Sequence, residues 1–217
     1  MRALILAGGD QPDPRALDAS WPGWSRADLV IGADGGARAA APLGLPLHLV
    51  IGDFDTLTDA EVAQFAARGV RVERAPVEKD ATDTELALLA ALDAGATEVA
   101  MLGALGASGG RSDHALGTIG LLANSRARGV NLAILDATSR TRLLVAPTRC
   151  TIESRPGSIV SLVPWGGDVR VTTEGLRWSL TDEVLASGST RGVSNESLGV
   201  ATIEVHHGAL LVSEGAR

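Results

Sequence analysis

Asp53 and Asp55 flank Phe54 at the end of the apolar stretch HLVIGDFDTL, residues 48–57. Side chains two apart on an extended segment share a face, which predicts neighbouring carboxylates with no Lys or Arg in the stretch to neutralise them. Such a pair repels, so either a proton held at raised pKa or a bound cation is expected between them. Hard oxygen donors with no Cys or His beside them suit Mg²⁺, which takes a few carboxylates, retained waters and substrate phosphate oxygens. Asp83 ends EKDATD (78–83) and opens a helix after Thr82. A carboxylate there stabilises the helix dipole whatever else it does.

Glycine gathers beside these aspartates. The segments AGGD (7–10), GADGGA (32–37) and LGALGASGGRSDH (102–114) each follow an apolar run. Glycine lets main-chain amides approach an anion, and Gly and Asp together at several strand ends suggest a polyphosphate with its metal. Neither GxGxxG nor GxxxxGK[ST] occurs, which excludes the usual dinucleotide and P-loop fingerprints, and the loop at 103–110 taken alone is equally a plain turn. Arg111 and Asp113 stand where this loop meets a helix. Arg111 could grip phosphate and Asp113 could accept a hydrogen bond from substrate, or the two could pair with each other. His114 fits a helix N-terminal residue that caps or packs.

Behind the motifs, residues 1 to about 140 alternate apolar runs with helical patterns. RALILAGG, DLVIGADGG, HLVIGDFD, VRVERAP, EVAMLGALG and NLAILDAT read as strands, which implies an α/β domain with a mostly parallel sheet flanked by helices. Thr58 with Glu61, and Thr82 with Glu85, have the capping-box spacing, and Gly69, Gly95 and Gly129 mark helix stops. Helices are predicted near 58–68, 82–94 and 113–128. In an open parallel sheet, ligands bind beyond the carboxyl ends of the strands, where the Gly and Asp motifs fall. After about residue 145, short β-type runs separated by Gly, Ser and Pro predict a small all-β, sandwich-like module. The expected domains are 1–145 and 146–217.

The chain has 217 residues and a formal charge of −7, with no Lys/Arg stripe, which argues against nucleic acid as a partner. No run approaches the ~18 apolar residues of a membrane span, and MRALILAGGDQP holds too short an apolar region for a signal peptide. Cys150 is the single cysteine, so no internal disulfide is possible, and a cytoplasmic location is expected. Aromatics are only 3 % of the chain, so Trp178, on an alternating strand between Arg177 and Ser179, stands out as either a core residue or an outward-facing stacking surface.

ADGGA, GDFDT, KDATD and GGRSDH, in this order and spacing, together with GLRWSL and STRGVSNES, resemble the thiamine pyrophosphokinase (thiamine diphosphokinase) family over nearly the whole chain. The resemblance implies transfer of the pyrophosphoryl group of Mg·ATP to the hydroxyl of thiamine, giving thiamine diphosphate and AMP, with no covalent enzyme intermediate. Carried over residue by residue, it assigns Mg²⁺ to Asp53, Asp55 and Asp83. Asp34, Gly35, Gly36, Lys79, Gly109 and Gly110 are assigned to the nucleotide and its phosphates, and Arg111 and Asp113 to the phosphates and reacting hydroxyl. Trp178 is assigned to stacking on the vitamin, and Ser194 and Asn195 to its pyrimidine ring. Thr56 and Arg38 stand where the family commonly has serine and also shows a shorter polar residue, and both are left out of the expected site. The resemblance further implies a homodimer whose sites are shared between subunits. Rival readings are a diphosphokinase acting on a hydroxymethyl pterin, against which RWSL and SNE speak, and a non-catalytic sensor, which would be expected to lack a metal aspartate.

Overall fold

The computed structural model describes residues 1–106 and 111–216, and these divide into two compact units. The first comprises residues 1–15 and 23–136, the second 16–22 and 137–217. The division falls after Asp136, earlier than the boundary expected at 145, because the segment that follows pairs with the C-terminal strand.

Six strands build the sheet of the first unit: β1 (Arg2–Leu6), β2 (Leu29–Ala33), β3 (Leu49–Gly52), β4 (Arg71–Arg74), β5 (Glu98–Leu102) and β6 (Asn131–Leu135). They pair in the order β6-β5-β1-β2-β3-β4, all parallel. Near-continuous apolar runs make this possible: β1, β2, β3, β5 and β6 are buried over most of their length, as a sheet covered on both faces requires. The chain runs outward from β1 through β2, β3 and β4, then returns to the other side of β1 for β5 and β6. That reversal creates a switch point between β1 and β5.

Helices α2 (Asp59–Ala67), α3 (Asp83–Asp93) and α4 (Ser112–Leu121) follow β3, β4 and β5. Thr58 and Glu61 form the expected capping box, while Thr82 accepts the Glu85 amide at 3.2 Å. The third helix is shorter than the predicted 113–128. It ends at Leu121, and Asn124 accepts the Arg126 amide to start a separate 3-10 turn over Ser125–Ala127. A short helix α1 (Pro14–Ser20) and a 3-10 turn over Asp34–Ala39 lie outside the expected elements, too brief for periodicity to register.

The second unit is antiparallel. Its strands are β7 (Ser139–Val145), β8 (Thr148–Glu153), β9 (Ile159–Pro164), β10 (Val169–Leu176), β11 (Glu183–Leu185), β12 (Asn195–His207) and β13 (Ala209–Gly215). The order is β11-β10-β12-β9-β13-β7, with β8 also on β12. The long β12 pairs with β9 at Asn195 and Glu196, then with β8 and β10 farther along, so one strand serves two sheets. Ile152, Val160, Leu162, Val171, Ile203 and Val212 pack between them as an aliphatic core. Strand β7 was not expected, since SRTRLLV alternates charge with apolar residues only weakly. Its ladder with β13 and the pairing of Arg140 (2.6 Å) and Arg142 (2.8 Å) with the buried Glu214 hold it in place. Among the described residues no helix is long and apolar enough to cross a membrane.

Candidate active site

The carboxyl ends of β1, β2, β3 and β5 and the start of α3 surround a cleft of about 350 Å³ in the first unit. Its walls include Gly8, Gly9, Asp34, Gly35, Asp55, Asp83, Gly103 and Arg111.

The local chain path at Asp53 differs from the extended one predicted. Strand β3 stops at Gly52, and Phe54 takes the left-handed conformation with φ +61°. That geometry costs a non-glycine residue roughly 1–2 kcal/mol. Burial of the Phe54 ring beside Val50 and Leu57, worth about 1.5–3 kcal/mol, offsets it. The turn is completed by the Asp55 amide donating to Asp53 Oδ1 at 3.2 Å, and the Arg74 guanidinium lies 4.8 Å from the Phe54 ring. Asp53 and Asp55 therefore do not share one face: Asp55 is exposed and lines the cleft, while Asp53 turns toward Lys79.

Asp53 instead converges with Asp34 and Asp83, and the three offer carboxylate oxygens all within 4.8 Å of one another. Asp34, only 5 % exposed, is at φ +42° just beyond β2; its oxygens accept the amides of Thr56 (3.2 Å) and Leu57 (3.4 Å), which braces the loop carrying Asp53 and Asp55. Gly52 makes the convergence sterically possible. A Cβ there would lie 3.0 Å from Asp34 Cβ and 3.1 Å from both Cγ and Oδ1 of Asp83. Gly36 has a similar role, since a Cβ would come within 2.1 Å of the Leu6 carbonyl oxygen at the end of β1.

Lys79 supplies the counter-charge that the 48–57 stretch lacks. Its ammonium pairs with Asp53 Oδ2 and lies 3.2 Å from Asp83 Oδ1. The hydrogen bond from Lys79 holds the Asp53 carboxyl below its usual range, against the effect of burial. Burial pushes Asp83 upward, with Lys79 opposing. Burial lowers Lys79, but its bonds to Asp53 and Asp83 outweigh that and keep the ammonium charged. Asp83 Oδ1 is buried and accepts no well-directed hydrogen bond, its near cation being the Lys79 ammonium at 3.2 Å. Three carboxylates, with no sulfur or imidazole in the converging set among the described residues, fit Mg²⁺.

Arg111 and Asp113 pair with each other, at 2.9 Å between Nη2 and Oδ2, and the Arg111 guanidinium holds Asp113 at about 2. Gly109 and Gly110 lie outside the described residues. Arg38 is a cleft residue that sequence reasoning left out. It donates to both Glu61 oxygens (2.6 and 2.9 Å) and to the Thr56 carbonyl at 2.9 Å, which ties α2 to the aspartate loop. Its place directly after ADGGA (33–37) was the available signal.

In the second unit Trp178 is 54 % exposed, with the Arg177 guanidinium 4.9 Å from its ring. Asn195, 6 % exposed, accepts the Trp178 amide at 3.1 Å and donates to the Trp178 carbonyl at 2.8 Å, so its side chain clamps the main chain that presents the indole. Ser194 is exposed at φ +62°, its amide donating to Ser161 Oγ at 3.1 Å.

Residues 22–134 match the family model described as thiamin pyrophosphokinase, catalytic domain, and residues 149–210 match thiamin pyrophosphokinase, vitamin B1 binding domain. The chain is 29 % identical over 195 residues to the thiamine pyrophosphokinase of Bacillus subtilis (strain 168), covering 88 % of this chain and 87 % of that one. It is similar to the crystal structure of thiamine pyrophosphokinase from Bacillus subtilis, with a TM-score of 0.85 at 28 % identity over 100 % of this chain and 99 % of that one. A thiamin pyrophosphokinase family protein from Enterococcus faecalis superposes with a TM-score of 0.81 at 26 % identity, covering 100 % of both chains.

Proposed function

The chain belongs to the thiamin pyrophosphokinase family, and from that premise we propose that it transfers the pyrophosphoryl group of Mg·ATP to the primary hydroxyl of thiamine. The products are thiamine diphosphate and AMP. The observation that carries the reading is the convergence of Asp34, Asp53 and Asp83 on one charged point beside a glycine-walled cleft.

In this reading Asp53, Asp55 and Asp83 hold Mg²⁺, with Asp34 within bonding reach and fixing the loop by its two amide contacts. When bound, the ion neutralises phosphate charge that builds as the bond between the α- and β-phosphates breaks. The chain's own groups do the positioning. Gly8, Gly9 and Gly35 leave the wall free of side chains, so the triphosphate can lie against main chain, with Gly36 packed behind them on the end of β1. Lys79 and Arg111 turn toward phosphate oxygens. Asp113, ionised at neutral pH, accepts a hydrogen bond from the attacking hydroxyl and orients it toward the β-phosphorus. Trp178 stacks on the flat, cationic vitamin, with Asn195 holding the indole in place and Ser194 contacting the pyrimidine.

The reading includes a cytoplasmic enzyme, which suits a chain with a single cysteine, and a homodimer in which one chain's aspartates work with the other chain's Trp178. The exposed Val184, Val193, Leu198 and Val200 of the second unit give such a pairing apolar area to bury. The test is product identification after incubation with thiamine, ATP and Mg²⁺. AMP and thiamine diphosphate should form in equal amounts; ADP with thiamine monophosphate, or transfer only to a hydroxymethyl pterin, would overturn the reading.

A further inference from the structure

Lys79 is the only lysine in the chain; every other one of its 19 Lys and Arg residues is an arginine. That one lysine is placed among the acidic groups of the site. Its side chain is 15 % exposed, its ammonium pairs with Asp53 Oδ2 and lies 3.2 Å from Asp83 Oδ1, and those two carboxylates belong to the set whose oxygens converge within 4.8 Å. The oxygens a divalent cation would bond are therefore the ones the ammonium already engages.

We infer that Lys79 is the resident counter-cation of the free enzyme and exchanges with the metal, leaving Asp53 and Asp83 as the divalent ion arrives and re-pairing with nucleotide phosphate. The inference rests on the reading that these aspartates hold the metal. Three physical points support it. Largely buried carboxylates within 4.8 Å of one another repel unless a cation stands between them, so a free enzyme without Lys79 would be destabilised at its own active site. A lysine suits an exchange better than an arginine, being a compact charge on a flexible stem with rotatable donors, whereas a guanidinium fork locks on a carboxylate bidentately. Finally, residues 75–82 belong to no helix or strand and Val77 among them is 78 % exposed, so Lys79 can swing away without breaking a ladder. Asp83, by contrast, is fixed in the first turn of α3.

The exchange has a signature that a plain phosphate-binding lysine lacks: the effect of Lys79 on metal affinity changes sign with nucleotide. Without nucleotide the ammonium competes with the metal, so Lys79→Met should bind Mg²⁺ at least ~10-fold more tightly than the parent chain, within the usual range for coupling between two sites. With a non-reacting ATP analogue present, Lys79 has phosphate to pair with and the parent chain should bind Mg²⁺ more tightly than the variant. Calorimetric titration of the full-length protein measures both arms. A second measurement needs no variant. Because there is one lysine, amine acylation followed by mass mapping reads Lys79 apart from the N-terminus; its rate should rise on adding Mg²⁺ alone and fall again with the analogue. Mg²⁺ binding in calorimetry with an unchanged acylation rate, or a Lys79→Met protein that binds Mg²⁺ alone no more tightly, would overturn the exchange while leaving the metal site intact. No Mg²⁺ binding with or without the analogue would overturn both.

Discussion

Replacing Gly52 with alanine tests whether the missing side chain at the end of β3 is what allows two carboxylates from different elements to close on one point. The new Cβ would lie 3.0 Å from Asp34 Cβ and 3.1 Å from Asp83 Cγ, against an ordinary contact limit of 3.4 Å, so each neighbour must retreat by about 0.3–0.4 Å. Asp34 and Asp83 lie in different elements, so their retreats need not cancel, and the spread can exceed the ~0.5 Å within which a catalytic constellation must be held. Mg²⁺ tolerates this poorly because it demands near-ideal octahedral bonds of ~2.0–2.1 Å. Turnover should fall by roughly 10- to 100-fold, given that a ~1 Å misplacement can cost ~10²-fold. Overpacking should lower stability by about 1–3 kcal/mol, or about 2–12 °C in Tm for domains of this size. The assay pairs AMP release under saturating Mg·ATP and thiamine with a thermal melt. Gly120→Ala is the control: it lies inside α4, a Cβ there meets nothing within 4 Å, and it should keep normal turnover with equal or slightly greater stability. Near-normal turnover in Gly52→Ala would refute the claim that Gly52 makes room for the metal site.

Three further outcomes are expected. Asp53→Asn, Asp55→Asn and Asp83→Asn should each cost at least ~10²-fold in turnover while the melt shows a folded protein, as removal of preorganised charge does; a variant with normal turnover would drop out of the site. The Arg38 hydrogen bond, followed by those from the Thr58 amide and hydroxyl, lowers Glu61 from 4.5 to about 2, so these contacts together contribute stability that is complete above pH 4.5 and is lost as pH falls through about 2. Glu61→Gln should therefore show a shallower loss of stability between pH 4.5 and 2 than the parent chain, and equal slopes would count against a role for the Glu61 carboxylate contacts. Finally, inactive Asp55→Asn and inactive Trp178→Ala chains, unfolded and refolded together, should regain roughly a quarter of full activity if sites are shared, since half the dimers are mixed and each carries one intact site. No recovery would place each site within one chain.

Much of this protein was legible along the chain because the relevant signals are local. Apolar runs of strand length bounded by Gly and Asp located β1, β2, β3, β5 and β6, and Thr58 with Glu61 marked the start of α2, since burial period and capping act over a few residues. The same locality made the chemistry visible as a class: carboxylates without sulfur or imidazole, glycine at strand ends, and one conspicuous tryptophan. What the carboxylates do with one another was decided only by tertiary structure. The sequence pattern pairs Asp53 with Asp55, yet burying the Phe54 ring outweighs the strain of a left-handed residue and sends the two side chains different ways. Asp34 and Asp83, 49 residues apart in sequence, meet Asp53 because β2 and β3 are adjacent in a parallel order and α3 returns across them beside a glycine too small to keep them apart. Strand β7 likewise owes its place to β13 at the far end of the chain. Spacing in sequence cannot encode such meetings, because they arise from strand order and packing, which are properties of the whole chain folded on itself.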